Sequence, residues 1–285
     1  MAAPTTTLVA STYNWPAALD LVLRSVLAQR VPPGQVVVAD DGSGEETRAL
    51  VADFAPRFAA RGVPLEHAWQ EDRGFRKARA LNAALARATG DYLLMIDGDV
   101  VLHPEWVRSH LRAARPGHFV QGSRALLRPE RTQRALARGE HRFSVLDRGL
   151  KNAQNALHLP LLAPFVRSTQ NARHATRGCN FALWRGDAVR VNGFDEAFEG
   201  WGREDSEFAA RLLNAGLRRR RLKFAAVCYH LWHPERPQTA VPEQERMLTA
   251  SMAGGVCWCE RGLDQHLDRN PDPRPVPPIG AAVGS

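Results

Sequence analysis

Two aspartates stand one residue apart in the segment MIDGDV, directly after a run of apolar residues. Asp97 and Asp99 flank a glycine, so no neighbouring side chain shields either carboxylate. One carboxylate of such a pair can bind a divalent cation while the other holds water or a sugar hydroxyl, and phosphate oxygens can complete the ion's coordination. The alternative is a solvated Asp-Gly turn, because a three-residue pattern is weak evidence when it stands alone.

A second group of acids occurs in GWGREDSE, where Glu204, Asp205 and Glu207 open a predicted helix. Acids at this place also suit the helix dipole on an ordinary solvated face. However, Trp201 stands between two glycines just ahead, where its indole can be presented to a ligand. An aromatic face beside carboxylates suits a sugar, whose ring stacks while its hydroxyls are held and deprotonated.

A histidine pair, His230 and His233, follows the strand-like segment KFAAVCY within HLWHPE. Such a pair is often structural. At a strand end, in a chain that already offers a carboxylate site, a neutral imidazole could complete the coordination of a cation. A mixture of imidazole and carboxylate favours Mn²⁺ over Mg²⁺.

The elements that must position these residues alternate between strands and helices over the first hundred residues. We predict helix caps at Asn14 and at a Ser43–Glu46 capping box, with Pro16 in the first turn of the first helix. A later helix is predicted to end at Gly90. This alternation predicts a parallel, doubly wound sheet. Because ligands bind outside the carboxyl ends of such strands, the polar segments STYN, DDGS and DGD should meet in one cleft.

The predicted organisation is a single large α/β domain made of two abutting halves. Residues 1–103 form a nucleotide-binding half, and residues 104–235 form a metal, donor-sugar and acceptor half. The second half contains a variable helical segment at about 124–175. A helical extension at 236–267 and a flexible proline-rich tail at 268–285 complete the chain.

Composition narrows the functional classes only slightly. The net charge of +8 raises nucleic acid as a partner, but nearly all the positive charge is arginine, which also fits compositional bias. We interpret the run Arg218–Arg221 as a solvated helix end, with an anionic substrate or membrane surface as the alternative. The pair Cys257 and Cys259 lacks partners at zinc-site spacing and is interpreted as packing.

No secretory signal or membrane-spanning segment is apparent in the sequence, so a cytoplasmic protein is expected. The longest apolar run outside the strands, LHLPLLAPFV at 157–166, carries two prolines. Together with the basic surface, this run could bring the protein to an anionic membrane as a peripheral contact.

The order of the motifs resembles a known family. STYNWP, DDGS, EDRGFRKARALNAAL and DGD look like family 2 glycosyltransferases of GT-A fold. GCNFALW, NGFDEAFEGWGREDSE and HLWH resemble the C-terminal module shared with β-1,4-galactosyltransferases, polypeptide N-acetylgalactosaminyltransferases and bacterial chondroitin polymerase. The resemblance covers roughly residues 5–235, and it implies a Rossmann-like, mostly parallel sheet flanked by helices.

The resemblance also implies roles for individual residues. Those expected to contact the nucleotide are Thr12, Tyr13, Asn14, Asp40, Asp41, Arg73, Phe75, Lys77 and Asp97. Within this set, Asp40 is the expected partner of the uracil N3–H, with Asp41 beside it, and Asp97 approaches the ribose. Asp99 binds the metal together with His230 or His233, a choice that the sequence leaves open.

On the acceptor side, Asp205 matches the general base of inverting enzymes. Glu204 matches a sugar-hydroxyl contact and Trp201 the stacking aromatic, and Gly202 and Arg203 complete the expected sugar-binding set. Arg203 stands where the galactosyltransferases carry a small residue, which leaves the donor sugar open.

The resemblance therefore implies an inverting, Mn²⁺- or Mg²⁺-dependent transferase. It would move a hexose or N-acetylhexosamine from a UDP-sugar to a glycan or lipid-linked glycan in surface polysaccharide synthesis, without a nucleic-acid partner. Two alternatives remain at this stage: a nucleotidyltransferase acting on sugar phosphates, and a basic nucleic-acid-binding protein. The first usually needs a glycine-rich or lysine-led phosphate-binding segment, which STYNWP lacks.

Overall fold

The computed structural model describes residues 3–173, 176–234 and 239–267. Its main sheet has seven strands in the order β10-β6-β9-β4-β1-β2-β3. The strands of this sheet are β1 (Thr6–Thr12), β2 (Gln35–Asp40), β3 (Leu65–Trp69), β4 (Tyr92–Asp97), β6 (His118–Gly122), β9 (Phe181–Trp184) and β10 (Arg218–Leu222). A second sheet contains β5 (Val100–Leu102), β7 (Ala125–Leu127), β8 (Leu150–Lys151) and β11 (Cys228–His230), in the order β5-β11-β7-β8.

Helices cover both faces of the main sheet. They are α1 (Pro16–Leu27), α2 (Glu45–Ala59), α3 (Lys77–Leu85), α4 (Trp106–Ala113), α5 (Pro129–Arg138), α6 (Arg185–Arg190), α7 (Glu204–Asn214), α8 (Val241–Ala253) and α9 (Asp264–Leu267). The central strands read as continuous apolar runs because alternate residues enter two different cores. Leu8 packs with α1 and α2 on one face, whereas Val9 packs with α3 and α7 on the other. The predicted α/β architecture is confirmed.

Six strands of the main sheet run in the same direction. β9 is the exception, because it pairs antiparallel with both β4 and β6. The carboxyl ends of β1, β2, β4, β6 and β10 therefore lie along one edge of the sheet, and β9 begins at that edge. This arrangement fixes where a ligand can bind, since the polar segments that follow these strands converge there.

Two predicted helix caps are wrong. α1 begins at Pro16 with Trp15 before it, while Asn14 has φ +46° and its Oδ1 accepts a hydrogen bond from the Gly44 amide at 2.9 Å. The Ser43 hydroxyl accepts from the Asn14 amide instead of capping α2. Both polar side chains are used to join the loops after β1 and β2.

The ends of two other elements also differ from prediction. α3 ends at Leu85 rather than at Gly90, whose amide donates to the Thr7 hydroxyl at 2.9 Å because the chain has already turned towards β4. The arginine run is an edge strand, β10, and not a helix end. Within β10, the buried Arg219 donates to the Asn171 carbonyl and the Thr176 hydroxyl. Charged residues on an edge strand also oppose pairing with another chain.

The region predicted to be a variable helical segment contains α5, two short strands and single 3-10 turns at Ala153–Ala156 and Pro160–Phe165. Cys257 is exposed and Cys259 is buried, and both thiols are free. The proline-rich tail from residue 268 lies outside the described residues. Within the described ranges, no helix is long and apolar enough to span a membrane.

Candidate functional site

A cleft of about 530 Å³ opens at the carboxyl edge of the main sheet. Of the residues singled out in the sequence, those that line it are Thr12, Tyr13, Asp41, Phe75, Lys77, Asp97, Asp99, Trp201, His230 and His233. They come from the ends of β1, β2, β4 and β11, from the start of α3, and from the loop before α7. The convergence predicted for the three polar strand ends is present in the structure.

Asp99, His230 and His233 gather at one end of the cleft. β11 pairs antiparallel with β5, which sets His230 opposite Val100, and the Leu231 amide donates to the Asp99 carbonyl at 2.9 Å. One potential ligand atom from each of the three side chains lies within 4.8 Å of the others. The strand pairing thus brings together residues from distant parts of the sequence.

This group has the chemistry of a divalent-metal site. Asp99 Oδ1 is buried without a hydrogen-bond partner, and a bound cation would satisfy it. Burial lowers the pKa of His230, which favours the neutral imidazole that a metal needs. His233 Nδ1 lies 2.8 Å from the Pro234 carbonyl, so the tautomer with hydrogen on Nδ1 leaves Nε2 free to bind an ion. Both histidines therefore remain candidate ligands.

A second group surrounds Lys77 at the N-terminus of α3. Its ammonium lies 3.0 Å from Asp97 Oδ1, 3.3 Å from Glu204 Oε1 and 4.0 Å from Asp205 Oδ2. Burial alone would lower the pKa of Lys77, but the three carboxylates raise it well above its usual value. The lysine therefore stays charged and connects the strand end of β4 to the start of α7.

Asp205 is held in a defined orientation. Its Oδ2 accepts a hydrogen bond from the Gly178 amide at 2.8 Å, and a Cβ at position 178 would lie only 2.2 Å from Oδ1. Only glycine permits this approach. Burial, reinforced by Glu204 and Asp97, raises the pKa of Asp205 to about 7, although Lys77 opposes the shift. A carboxylate with this pKa can accept a proton near neutral pH.

Three predicted nucleotide contacts do not line the cleft. Asp40 is fully buried, and its oxygens accept from the Ser43 amide and pair with His67 Nε2, each at 2.8 Å. Burial would raise the pKa of Asp40, but these hydrogen bonds lower it. Asp40 is therefore inaccessible to a uracil ring, which is a correction to the sequence prediction, and its neighbour Asp41 lines the cleft instead.

The other two are Asn14, which joins two loops as described above, and Arg73, which is exposed and pairs with Glu71 at 2.6 Å. Gly202 and Arg203 contact α8: Arg203 donates its amide to Gln244 and pairs with Glu245. Trp201, in contrast, is 41% exposed in the cleft wall.

Several cleft residues were not singled out in the sequence, among them Ser11, Trp15, Arg124, Lys151 and Trp232. The Ser11 hydroxyl donates to Asp97 at 3.0 Å. Gly178 was also missed as a contact of Asp205, although it lies within the quoted motif GCNFALW. Trp15 and Trp232 lie within the quoted motifs STYNWP and HLWH, whereas Arg124 and Lys151 belong to the segment for which no motif was available.

The fold and the site together define a glycosyltransferase of the GT-A type. The model of the family described as glycosyl transferase family 2 matches residues 7–171, which is more than half of the chain, and a model described as the N-terminal domain of galactosyltransferase matches residues 168–234. The chain belongs to glycosyl transferase family 2.

Curated relatives are similar over most of this chain. Validoxylamine A glucosyltransferase of Streptomyces hygroscopicus subsp. limoneus is 28% identical over 94% of the chain, which spans 58% of that protein. Hyaluronan synthase of Pasteurella multocida is 26% identical over 93% of the chain, which spans 29% of that protein. This chain therefore covers less than two thirds of the length of either relative.

Solved structures share the fold. Residues 1–349 of TarS from S. aureus, in complex with UDP-GlcNAc, are 16% identical with a TM-score of 0.63, covering 93% of this chain and 71% of that one. The mannosyltransferase PcManGT from Pyrobaculum calidifontis, in complex with GDP-Man and Mn²⁺, is 22% identical with a TM-score of 0.54. The match covers 89% of this chain and 63% of that one. At these identities the likeness establishes the fold alone.

Proposed function

We propose that this protein is an inverting glycosyltransferase that moves a hexose or N-acetylhexosamine from a UDP-sugar to a glycan acceptor. The observation that carries the proposal is that a metal-binding group lines the cleft, while Asp205, an oriented carboxylate with a raised pKa, lies 4.0 Å from the ammonium of Lys77, which lines the same cleft. The first suits a sugar nucleotide, and the second suits an acceptor hydroxyl. Surface polysaccharide assembly is the proposed setting, in keeping with the hyaluronan synthase among its relatives.

The nucleotide would lie over the strand ends, with Thr12, Tyr13, Asp41 and Phe75 around the base and ribose. Asp99, His230 and His233 would hold Mn²⁺ or Mg²⁺. A bound cation supplies charge neutralisation to the departing diphosphate. Asp97, which contacts Ser11 and Lys77, would approach the ribose.

The protein's own residues account for the transfer step. Asp205 accepts the proton of the acceptor hydroxyl, whose oxygen attacks the anomeric carbon from the face opposite UDP. The Gly178 amide keeps the carboxylate aimed, and Glu204 and Trp201 would bind the sugar by hydrogen bonding and stacking. An α-linked donor then gives a β-linked product.

A titration of UDP with and without Mn²⁺ tests this function. UDP should bind more tightly when Mn²⁺ is present, and screening UDP-sugars for metal-dependent hydrolysis should then identify the donor. A nucleic-acid-binding protein would instead bind duplex DNA. Its affinity would be independent of Mn²⁺ and would fall steeply with added salt. UDP binding that is unaffected by Mn²⁺ would contradict the proposal.

The raised pKa of Asp205 predicts a pH dependence. The base works in its deprotonated form, so kcat/KM should fall as the pH decreases through about 7. Lys77 lowers the pKa of Asp205, and Lys77→Met should therefore move this acidic limb to higher pH. The check is a pH–rate profile of both proteins; a limb that stays in place in the variant would contradict the assignment.

We further propose a peripheral contact with anionic membrane through the turn Pro160–Phe165. Leu161 and Phe165 are 86% and 82% exposed at its tip. The turn is flanked by basic residues: Arg167 follows it, and Lys223 adjoins Phe224, whose carbonyl accepts from the Leu159 amide. An apolar tip with cationic flanks matches a bilayer surface that carries negative charge.

Co-sedimentation with vesicles tests this contact. The protein should bind vesicles containing phosphatidylglycerol more strongly than vesicles of phosphatidylcholine alone. Leu161→Ser should weaken that binding by about tenfold, since a buried leucine contributes roughly 1.5–3 kcal/mol. Leu146→Ser is the matched control because Leu146 is also 86% exposed but lies elsewhere. Equal effects of both substitutions, or no binding at all, would overturn the proposal.

A further inference from the structure

Three arginines gather at the carboxyl edge of the sheet without a role in the mechanism above. Arg124 follows β6 and lines the cleft, and Arg221 lies in register with Gln121 near the end of β10. Arg177 directly precedes Gly178, the residue whose amide holds Asp205. These three residues, which we call the arginine group, come from separate segments, and Arg124 and Arg221 lie close enough to Arg177 for their charges to act on it.

The arginine group concentrates positive charge, although the Asp97 carboxylate acts on Arg124 at a distance beyond that of an ion pair. Burial lowers the pKa of Arg177, and the nearby charges of Arg124 and Arg221 lower it further. Within the described ranges, none of the three guanidinium groups forms an ion pair. Other arginines of the same region are neutralised: Arg131 lies 2.6 Å from Asp147 and 2.7 Å from Glu140.

Solvent screens part of this repulsion because Arg177 and Arg221 are exposed, and a bound anion would offset what remains. Burial would lower the pKa of Arg124, but the Cys179 thiol, to which it donates at 3.5 Å, and the nearby Asp97 carboxylate raise it. Guanidinium groups form paired hydrogen bonds with carboxylate or phosphate, which makes them suitable for recognising either group.

A neighbouring amide adds a hydroxyl-binding group. Gln121 is buried and donates to the Arg177 carbonyl at 3.3 Å, while its Oε1 has no hydrogen-bond partner. A buried acceptor of this kind can take a hydrogen bond from a ligand hydroxyl or water. Guanidinium groups close to an oxygen that can accept a hydrogen bond from a hydroxyl suit a sugar that carries an acidic group.

We propose that the arginine group binds an anionic group of the acceptor, a carboxylate or a phosphate, close to the hydroxyl that Asp205 deprotonates. This inference rests on the proposed function and names the chemistry of its acceptor. The acceptor is favoured over the donor diphosphate because Arg177 is covalently joined to the residue that holds Asp205. Arg124 adjoins the candidate metal ligands, because it precedes β7, which pairs with β11 beside His230, so Arg177 and Arg221 are the members of the group assigned to the acceptor.

Binding of simple anions to the full chain tests the proposal. In the presence of UDP and Mn²⁺, methyl β-D-glucuronide and glycerol 3-phosphate are titrated and followed by NMR. Methyl β-D-glucoside and glycerol serve as the neutral counterparts. At least one anion should bind about tenfold more tightly than its neutral counterpart, and the one that does identifies the acceptor's acidic group as carboxylate or phosphate.

Substitutions locate the site. Arg177→Gln and Arg221→Gln should each weaken anion binding about tenfold or more, because a hydrogen bond to a charged group contributes roughly that factor. Their affinity for UDP should stay unchanged. Arg218→Gln is the matched control: it removes the same charge from the same strand, at the opposite end of β10, and should have no effect.

Three outcomes would overturn the inference. Equal losses in the Arg218 variant would mean that only overall charge matters. A loss of UDP affinity in the Arg177 variant would assign the group to the donor diphosphate. Failure of both anions to bind, while UDP still binds with Mn²⁺, would remove the anionic acceptor and leave the proposed glycosyltransferase function intact.

Discussion

Replacing Asp205 with asparagine should abolish most sugar transfer while UDP still binds. The amide keeps the size of the carboxylate but cannot accept the proton of the acceptor hydroxyl. Loss of a positioned general base typically reduces the rate by about 10²–10⁴-fold. The measurement is kcat for transfer to an acceptor, with UDP affinity determined separately by calorimetry.

Asp187→Asn is the matched control for this substitution. Asp187 is also a buried aspartate, and burial raises its pKa to about 6, but it lies on α6 and is not among the carboxylates found near Lys77. The control should retain transfer activity. If the Asp205 variant kept more than a tenth of its turnover, another group would have to be the base.

Replacing Asp99 with alanine should remove the response of UDP binding to Mn²⁺. Asp99 contributes the only carboxylate of the metal-binding group found among the described residues, and without it two neutral imidazoles would face the ion. Since a bound cation contributes several kcal/mol to stabilising charge on the leaving group, transfer should fall by about 10²-fold or more. UDP titrations with and without Mn²⁺ measure the first effect, and steady-state rates measure the second.

Asp20→Ala provides the control for loss of a carboxylate. Asp20 pairs with Arg24 one turn further along α1; both side chains are partly exposed, and Asp20 does not line the cleft. The histidines can then be separated by His230→Ala and His233→Ala, and the ligand is the one whose loss reduces the Mn²⁺ effect. An Asp99 variant that still binds UDP more tightly with Mn²⁺ would contradict the metal assignment.

The sequence was sufficient to predict the architecture because its signals are local and strong. Apolar strands alternate with amphipathic helices, and their polar ends identify the edge where the cleft lies. It could not predict which of two adjacent aspartates would face that cleft. Asp40 and Asp41 are adjacent and identical in type. The register of β2 and the contact with His67 are what direct the Asp40 side chain into the interior.

Two further features depended on tertiary contacts. In the sequence, Asn14 has the position of a helix cap. In the fold, its side chain instead accepts a hydrogen bond from the loop after β2. In the sequence, Arg218–Arg221 has the pattern of a solvated helix end. In the fold, this segment pairs with β6 and is a strand. In both cases the competing interaction comes from a part of the chain that is remote in sequence, which a local pattern cannot contain.

The pairing of β5 with β11 has a consequence for how the enzyme is made. Asp99 emerges from the ribosome long before the two histidines that accompany it, and strand pairing must occur before the three side chains meet. Capture of an ion by the proposed site would therefore be a late event in biogenesis. Because an ion that binds only the finished site favours the native state by mass action, added Mn²⁺ should also raise the melting temperature.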